Sequence, residues 1–446
     1  MAGQNISRLA VAGSFWFFLA IVVLAPLPYG SAHLWSYSLL SILTGIALLL
    51  WAAAAALRAD LYAIPASRYR VPAAMLGLVL TDRTVSGAIA LNPDAVPDTL
   101  ARMGSYAVIF WLGMQFGRSS ERAHLIFWAI AVTGLLYAAY GIWAYVSGSG
   151  MILFSEKWAY QLSLTSTFVN RNHYAVFAGI GLITSFGLAI RYLKRDASGA
   201  FDSSRRFLNS MENLSMSVFV LTGICVIIGS ALLLTKSRGG VIFTAIGLIV
   251  LIMLLQAGGT LRKRTSIALA GGLLLLGIAT FAVSGGGLSD RLAGQFFNSD
   301  RHLIHSVALR AIADAPVTGH GAGSFPALFH LYRDAGFPAI SPAFASAHSV
   351  YLEFAAEAGI VAAALYFGAI MLIVIRCFAG TLQRRRHQVY PAVGAATALL
   401  VAFHSYFDFG PQIPGVSVTF AAILGVAFAQ SWPTEGRSTA HQSRDR

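Results

Sequence analysis

Charge is scarce along this chain: only 11% of its 446 residues are Asp, Glu, Lys or Arg, against about 25% in an ordinary soluble domain. One large core does not explain the shortfall, because apolar runs recur that approach the ~20 residues needed to cross a bilayer. Lipid offers no partner to a free backbone N–H or C=O, so such runs must close their own hydrogen bonds as helices. The expected fold class is therefore all-α, a polytopic membrane protein. Acidic residues are the scarcer sign, 18 against 31 basic ones, which leaves a formal net charge of +13. Taken alone that balance fits nucleic acid. Arg and Lys, however, cluster in short segments between apolar runs, the placement that orients membrane proteins, and a basic excess also attracts anionic head groups. A membrane-lipid partner and no nucleic acid are expected. Cysteine is nearly missing too: Cys225 and Cys377 both fall in apolar runs and suggest neither a disulfide framework nor a metal site. No internal period of 20–50 residues stands out.

What is present is a series of apolar runs, at about 9–27, 35–57, 72–90, 101–117, 124–146, 173–192, 216–235, 240–257, 266–284, 349–375, 391–408 and 414–431. The first, preceded by Arg8, resembles a signal peptide but is long for one, and it reads as the first membrane helix. The third is interrupted by Asp82 and Arg83 and reads as a half-span, an interfacial helix or a crossing. Basic clusters lie at Arg58/Arg68/Arg70, Arg118/Arg122, Arg191/Lys194/Arg195/Arg205/Arg206, Arg262/Lys263/Arg264 and Arg376/Arg384/Arg385/Arg386. Twelve spans with both termini inside put every cluster in the cytoplasm; eleven would break the pattern. The organisation expected is 1–146 N-terminal helices, 147–284 central helices with the Arg238 turn, 285–348 an external loop subdomain, 349–431 C-terminal helices and 432–446 a cytoplasmic tail.

The same topology places 147–172, the turn Lys236–Gly239, the loop 285–348 and the turn 409–413 outside. The loop, roughly 60 residues, is far longer than the ~12–15 at which loops inside a compact protein become functional or disordered. Amphipathic patterns at His302–Ala313 and Phe325–Ala335, and a Gly-rich joint at Gly319–Gly323, predict an ordered lid or small subdomain. Polar residues gather at this face: Asn170, Arg171, Asn172 and His173; Lys236 and Arg238; Asp300, Arg301 and His305; His348; Glu353 and Glu357; His404 and Asp408. A cation at a helix end often only snorkels, and a lone interfacial His is more often a satisfied polar residue than a catalyst. Gly239 and Gly240 read as turn-makers. His302 and His305 form an H-x-x-H pair with no further ligands, which does not make a zinc site. Glu353 and Glu357, at i and i+4, share one helix face. Carboxylates within an apolar layer are costly and face a cavity or a cation, so they read equally as a structural pair with an Arg or as cavity-lining groups.

Four segments together resemble the O-antigen ligase family, which is similar in fold to O-antigen and exopolysaccharide polymerases. His348-Ser349, nine residues and Gly359 fit its H-[N/S/Q]-x9-G pattern. Arg238 opens an R-x-x-x-aliphatic element that ends at Ile242, where the family usually has Leu. Arg301 precedes ALRAIADAPVTGHGAGSF, and Phe168-Val169-Asn170-Arg171-Asn172 resembles an F-x-N-x-N entry to a middle span. The likeness covers roughly residues 165–410. Many members have Trp near the position of His305. His404-Ser405-Tyr406-Phe407-Asp408-Phe409, with Pro414 beyond, also resembles the end of polymerase-like relatives.

The resemblance implies a glycan on a polyprenyl diphosphate, presented at the periplasmic face of a bacterial inner membrane and moved to an acceptor hydroxyl such as lipid A-core. On that footing His348 is the candidate base, since neutral imidazole titrates near working pH. Arg238 and Arg301 suit the diphosphate, which guanidinium grips in bidentate fashion, with Lys236 and Arg171 adding positive field. Asn170, Asn172, Glu353 and Glu357 would line the cavity. Fixed cations can stabilise a leaving diphosphate without Mg²⁺; there is no Asp-x-Asp signature, and no metal or other cofactor is expected. A polymerase using a second lipid-linked chain, a protein O-oligosaccharyltransferase, and, from another class, a polysaccharide transporter or flippase are the alternatives. Fold likeness alone does not choose among them.

Overall fold

The computed structural model describes residues 2–57, 64–196, 215–283, 299–333, 344–384 and 386–432. Arg58, Arg205, Arg206, Arg385, the loop stretches 285–298 and 334–343, the tail from 433 and the Asp300 side chain lie outside the described residues. Within them, each of the twelve apolar runs is a helix: α1 (Ala2–Leu24), α2 (Leu34–Ala56), α3 (Arg70–Ser86), α4 (Ala95–Phe116), α5 (Ser120–Val146), α6 (Arg171–Asp196), α7 (Met216–Leu234), α8 (Arg238–Ala257), α9 (Lys263–Val283), α12 (Val350–Gln383), α13 (Val389–Ser405) and α14 (Pro414–Ala429). The long loop adds α10 (Ser299–Asp314) and α11 (Phe325–Tyr332) where the amphipathic patterns lie. An antiparallel hairpin, β1 (Met151–Ile152) and β2 (Ser155–Glu156), follows α5; a strictly helical reading does not contain it.

Helix ends follow local chemistry. α1 stops before Pro26 and Pro28, which have no N–H to donate. The Ser237 side chain accepts the Gly240 amide at 3.3 Å and so caps α8.

Among the described residues, six helices (α2, α5, α6, α7, α8 and α12) are long and apolar enough to cross a membrane. The chain is an all-α membrane protein. Length alone does not carry the twelve crossings. α3 and α13 have 17 residues each and α14 has 16, so each spans about 25 Å at 1.5 Å per residue, less than the ~30 Å hydrocarbon layer. α13 and α14 lie at the centre of the bundle, buried along most of their length. Small residues let the backbones close there, with Gly394 against Ala427 and Gly113 against Ala422, as suits helices that gain no hydrophobic drive from lipid. Leu49, Val226 and Met371 are exposed, part of an apolar exterior that a soluble protein would not present.

α12 is not one straight span. Gly359 has φ 78 and ψ 164, which divides it into a short helix over 350–358 and a long one over 360–383. The Gly-rich joint docks at the break. His320 and Gly321 donate their amides to the carbonyls of Ala356 and Glu357 at 3.1 and 2.9 Å, and Ile360 donates to the Pro316 carbonyl at 2.8 Å. Carbonyls left over at the end of the short helix are thus satisfied by the loop. A Cβ on Gly359 would strike the Val317 backbone, and one on Gly319 the Glu357 backbone; the Gly359 conformation is one that only glycine adopts freely. Glu353 and Glu357 therefore ride on a separate short helix.

The two ends of the bundle differ. At one, the connecting loops interlock: Leu91 N donates to His320 O at 3.1 Å and Leu164 N to Leu234 O at 3.0 Å. At the other, Arg384 donates to the carbonyls of Gln430 and Trp432, Arg376 to that of Ser431, and Gln430 Nε2 to that of Gly117 at 2.7 Å.

Candidate functional site

The interlocked end is organised around Asp408, which follows α13 and is 1% exposed. Its Oδ1 accepts the Phe409 amide at 2.7 Å, while Oδ2 accepts Asn172 Nδ2 at 2.5 Å. His173 Nε2 stands 3.4 Å from Oδ1 and His348 Nδ1 4.0 Å from it. The Phe409 ring packs edge-on against both imidazoles, with centroids at 4.5 and 5.2 Å. Asn172 extends the network, since its Oδ1 accepts the Ser237 hydroxyl at 2.9 Å and its amide donates to Asn170 Oδ1 at 2.8 Å. Three segments far apart in sequence (170–173, 237 and 408) are joined by these bonds.

His348 sits at the approach to α12 in a left-handed conformation, φ 52, which costs a non-glycine residue energy and persists only where neighbours impose it. Glu353 imposes it: Oε2 accepts the Ser346 hydroxyl at 2.6 Å and the Ala347 amide at 2.7 Å, and Oε1 accepts Gln412 Nε2 at 2.8 Å. With Nδ1 buried against Asp408, the 26% exposure of the His348 side chain belongs to the rest of the ring. Burial pushes the His348 pKa below its ordinary value, Arg301 and His173 push the same way, and Asp408 opposes them. For Asp408, burial pulls upward, but His173, His404 and His348 outweigh it and hold the carboxyl well below the usual range. The pair at rest is a neutral imidazole beside a carboxylate.

Each cation has a definite place. Arg301 opens α10 half-buried and bears electrostatically on His348 and Tyr160. Arg238 follows Ser237 directly, and at the next residue a Cβ on Gly239 would lie 3.8 Å from His404 Nε2. Lys236 stands exposed on the same turn with φ 56. Arg171 donates to Ser163 Oγ at 3.2 Å and lies over the Tyr160 ring at 5.4 Å. The structure thus brings His348, Arg301, Asn170 and Asn172 to one place, with the Arg238 turn and Arg171 at its margins. Glu357 goes elsewhere. It pairs with buried Arg83 at 2.9 Å and accepts the Phe325 amide at 3.3 Å, and Arg83 also lies over the Phe354 ring at 4.7 Å. Both carboxylates are held by protein groups: Glu353 shapes the His348 turn, and Glu357 ties α3 and α11 to α12. His305 turns its ring toward Tyr406 at 6.3 Å.

Sequence reasoning noticed His173, His404 and Asp408 as polar residues but did not see the hub, and it did not see Tyr160 at all. The available signal was the pair Asn172-His173 at one helix start and Asp408 at another helix end, both polar where a span meets water. Among the described residues no group of three or more His, Cys, Asp or Glu is placed to hold a metal ion.

Comparison with known families adds one finding: residues 223–367 match the model of the O-antigen ligase family. That segment, about a third of the chain, is similar to the O-antigen ligase domain. No curated protein matches the chain. The matched segment holds Lys236, Arg238, Arg301, His348, Glu353 and the α12 break at Gly359. Asn172, His173 and Asp408 lie outside it, so the hub that holds His348 is completed by flanking helices.

Proposed function

We propose that this protein transfers a glycan from a polyprenyl diphosphate carrier to an acceptor hydroxyl at the periplasmic face of a bacterial inner membrane, as an O-antigen ligase does, with twelve crossings and both termini in the cytoplasm. The observation that carries the reading is the convergence of neutral His348, anionic Asp408 and the cation Arg301 at the loop end of the bundle. His348 takes the proton of the acceptor hydroxyl, whose oxygen forms the new bond to the anomeric carbon. The bond from that carbon to the diphosphate breaks, and the carrier leaves with the electron pair. Asp408, 4.0 Å from Nδ1, stabilises the imidazolium that forms. Arg301 and Arg238 hold the departing diphosphate, Lys236 and Arg171 add field, and no metal is required. The apolar exterior of neighbouring helices accommodates the polyprenyl tail.

His348→Ala or Arg301→Ala is expected to abolish transfer from the lipid-linked donor in membranes while leaving a folded, inserted protein; full activity in either would end the mechanism. Sidedness is tested by thiol labelling in intact cells of a Cys at Lys236, which is exposed; labelling only after the inner membrane is opened would end the topology.

A polymerase is the second reading, favoured by the central place of Asp408, since His404–Phe409 resembles polymerase-like relatives. Deletion of the gene with gel analysis of surface glycans separates the two. Loss of long chains with lipid-linked intermediate accumulating means ligase, and lipid capped by a single repeat means polymerase.

A further inference from the structure

Beside the Asp408 network is a cavity of about 500 Å³ lined by Tyr29, His33, Trp35, Ile152, Ser155, Glu156, Trp158 and Val169, within the size range of small-molecule sites. Its walls combine aromatic faces with a carboxylate, a hydroxyl and an imidazole. The Tyr29 hydroxyl bonds the Ser155 hydroxyl at 2.8 Å, joining the turn after α1 to the hairpin after α5. Trp35 and Trp158 are 57% and 76% exposed, so neither indole is consumed by packing. Flat amphipathic rings of this kind bind the C–H faces of sugars, while a carboxylate accepts from ring hydroxyls.

Two stretches of chain run directly from this cavity to the site. From Glu156 and Trp158 the chain reaches Tyr160, which lies under Arg171 and responds to Asp408 and Arg301. From Val169 it reaches Asn170 and Asn172, the latter bonded to Asp408. Backbone strain is concentrated here as well. Of eight non-glycine residues with positive φ among those described, seven (Tyr29, Ser31, Leu153, Tyr160, Ser166, Lys236 and His348) fall in these loops or at the site, a pattern typical of ligand clamps.

We infer that this aromatic cavity is a saccharide subsite that holds a pyranose unit of one of the two glycans while the anomeric carbon sits at His348. The inference rests on the transfer reading for its place in the reaction, but sugar binding itself is measured without transfer. The probes are two phosphate-free oligosaccharides, one released by mild acid from the host's lipid-linked glycan and one from its acceptor. Each is titrated into the purified full-length protein in nanodiscs by saturation-transfer NMR. Trp158→Ala and Trp35→Ala are each expected to weaken one of the two roughly three- to tenfold, with Trp158→Phe restoring most of the loss. The oligosaccharide affected identifies the source as donor or acceptor, and in transfer assays the KM for that substrate rises with little change in kcat. Failure of the parent to bind either oligosaccharide, or unchanged affinity in the Trp35→Ala/Trp158→Ala double variant, overturns the subsite. Full transfer by His348→Ala with sugar binding lost in the tryptophan variants overturns the mechanism and leaves the subsite standing.

Discussion

Cations crowd both ends of this bundle, and what they touch separates their roles. At one end Arg384 and Arg376 donate to the carbonyls of Gln430, Ser431 and Trp432 beyond α14, and Arg376 also covers the Trp432 ring at 4.1 Å. These guanidiniums are spent on helix C-termini, where carbonyls lack intrahelical partners. At the other end Arg301 and the Arg238 turn surround a carboxylate and imidazoles; among the described residues, His173 Nε2 and His348 Nδ1 are buried without a well-formed hydrogen bond. The first set is engaged with backbone carbonyls and an indole, and the second faces a buried carboxylate and imidazoles. Charge by itself, then, does not mark a site in a membrane protein; titratable groups gathered among the cations do.

The comparison breaks most visibly if the ends are exchanged by mutation. His348→Ala is expected to lower transfer by about 10²–10⁴, the usual worth of a general base, whereas Arg384→Gln leaves transfer unchanged in the same membrane assay. Next in size is the buried pair at the loop end. Arg83→Ala removes the cation beside Glu357 and is expected to cost about 3–5 kcal/mol, while Arg83→Met with Glu357→Met recovers most of that loss; thermal unfolding in detergent reads both. Gly359→Ala forces a side chain into the Val317 backbone at a conformation only glycine tolerates, and a loss of about 1–3 kcal/mol or more is expected in the same measurement. Arg384→Gln itself should cost about 1 kcal/mol. Smallest is a pH effect. A lowered His348 pKa keeps the imidazole neutral to below the ordinary ~6.5, so the acid limb of the transfer profile falls below that value. Asp408 raises that pKa, so Asp408→Asn is expected to move the limb of its residual activity further toward acid, and a shift upward would contradict the assigned pairing.

Hydropathy alone located the helices, because lipid requires long apolar runs and charge interrupts them; even the weak run at 72–90 is a helix. What hydropathy cannot express is contact. Arg83 looked like a flaw in that run because Glu357 lies 274 residues away, and Asp408 looked like the end of a span because Asn172 is 236 residues distant. His348 was legible through its spacing to Gly359, and the reason for that spacing is now physical: nine residues of short helix end where the loop backbone must pass. Gly359 inside an apolar run gave no hint of a break, since glycine is ordinary in membrane helices. The interpretation of Glu353 and Glu357 divided because their partners, a serine turn and an arginine, sit on other elements.

That Asp408 and His173 lie beyond the ligase-family segment has a consequence for portability. Grafted into a foreign helical scaffold, residues 223–367 would carry an imidazole and the arginines but leave behind the carboxylate beside that imidazole. Such a chimera would insert and stay inert, because the working unit is an assembly of distant strands of chain rather than a transplantable module.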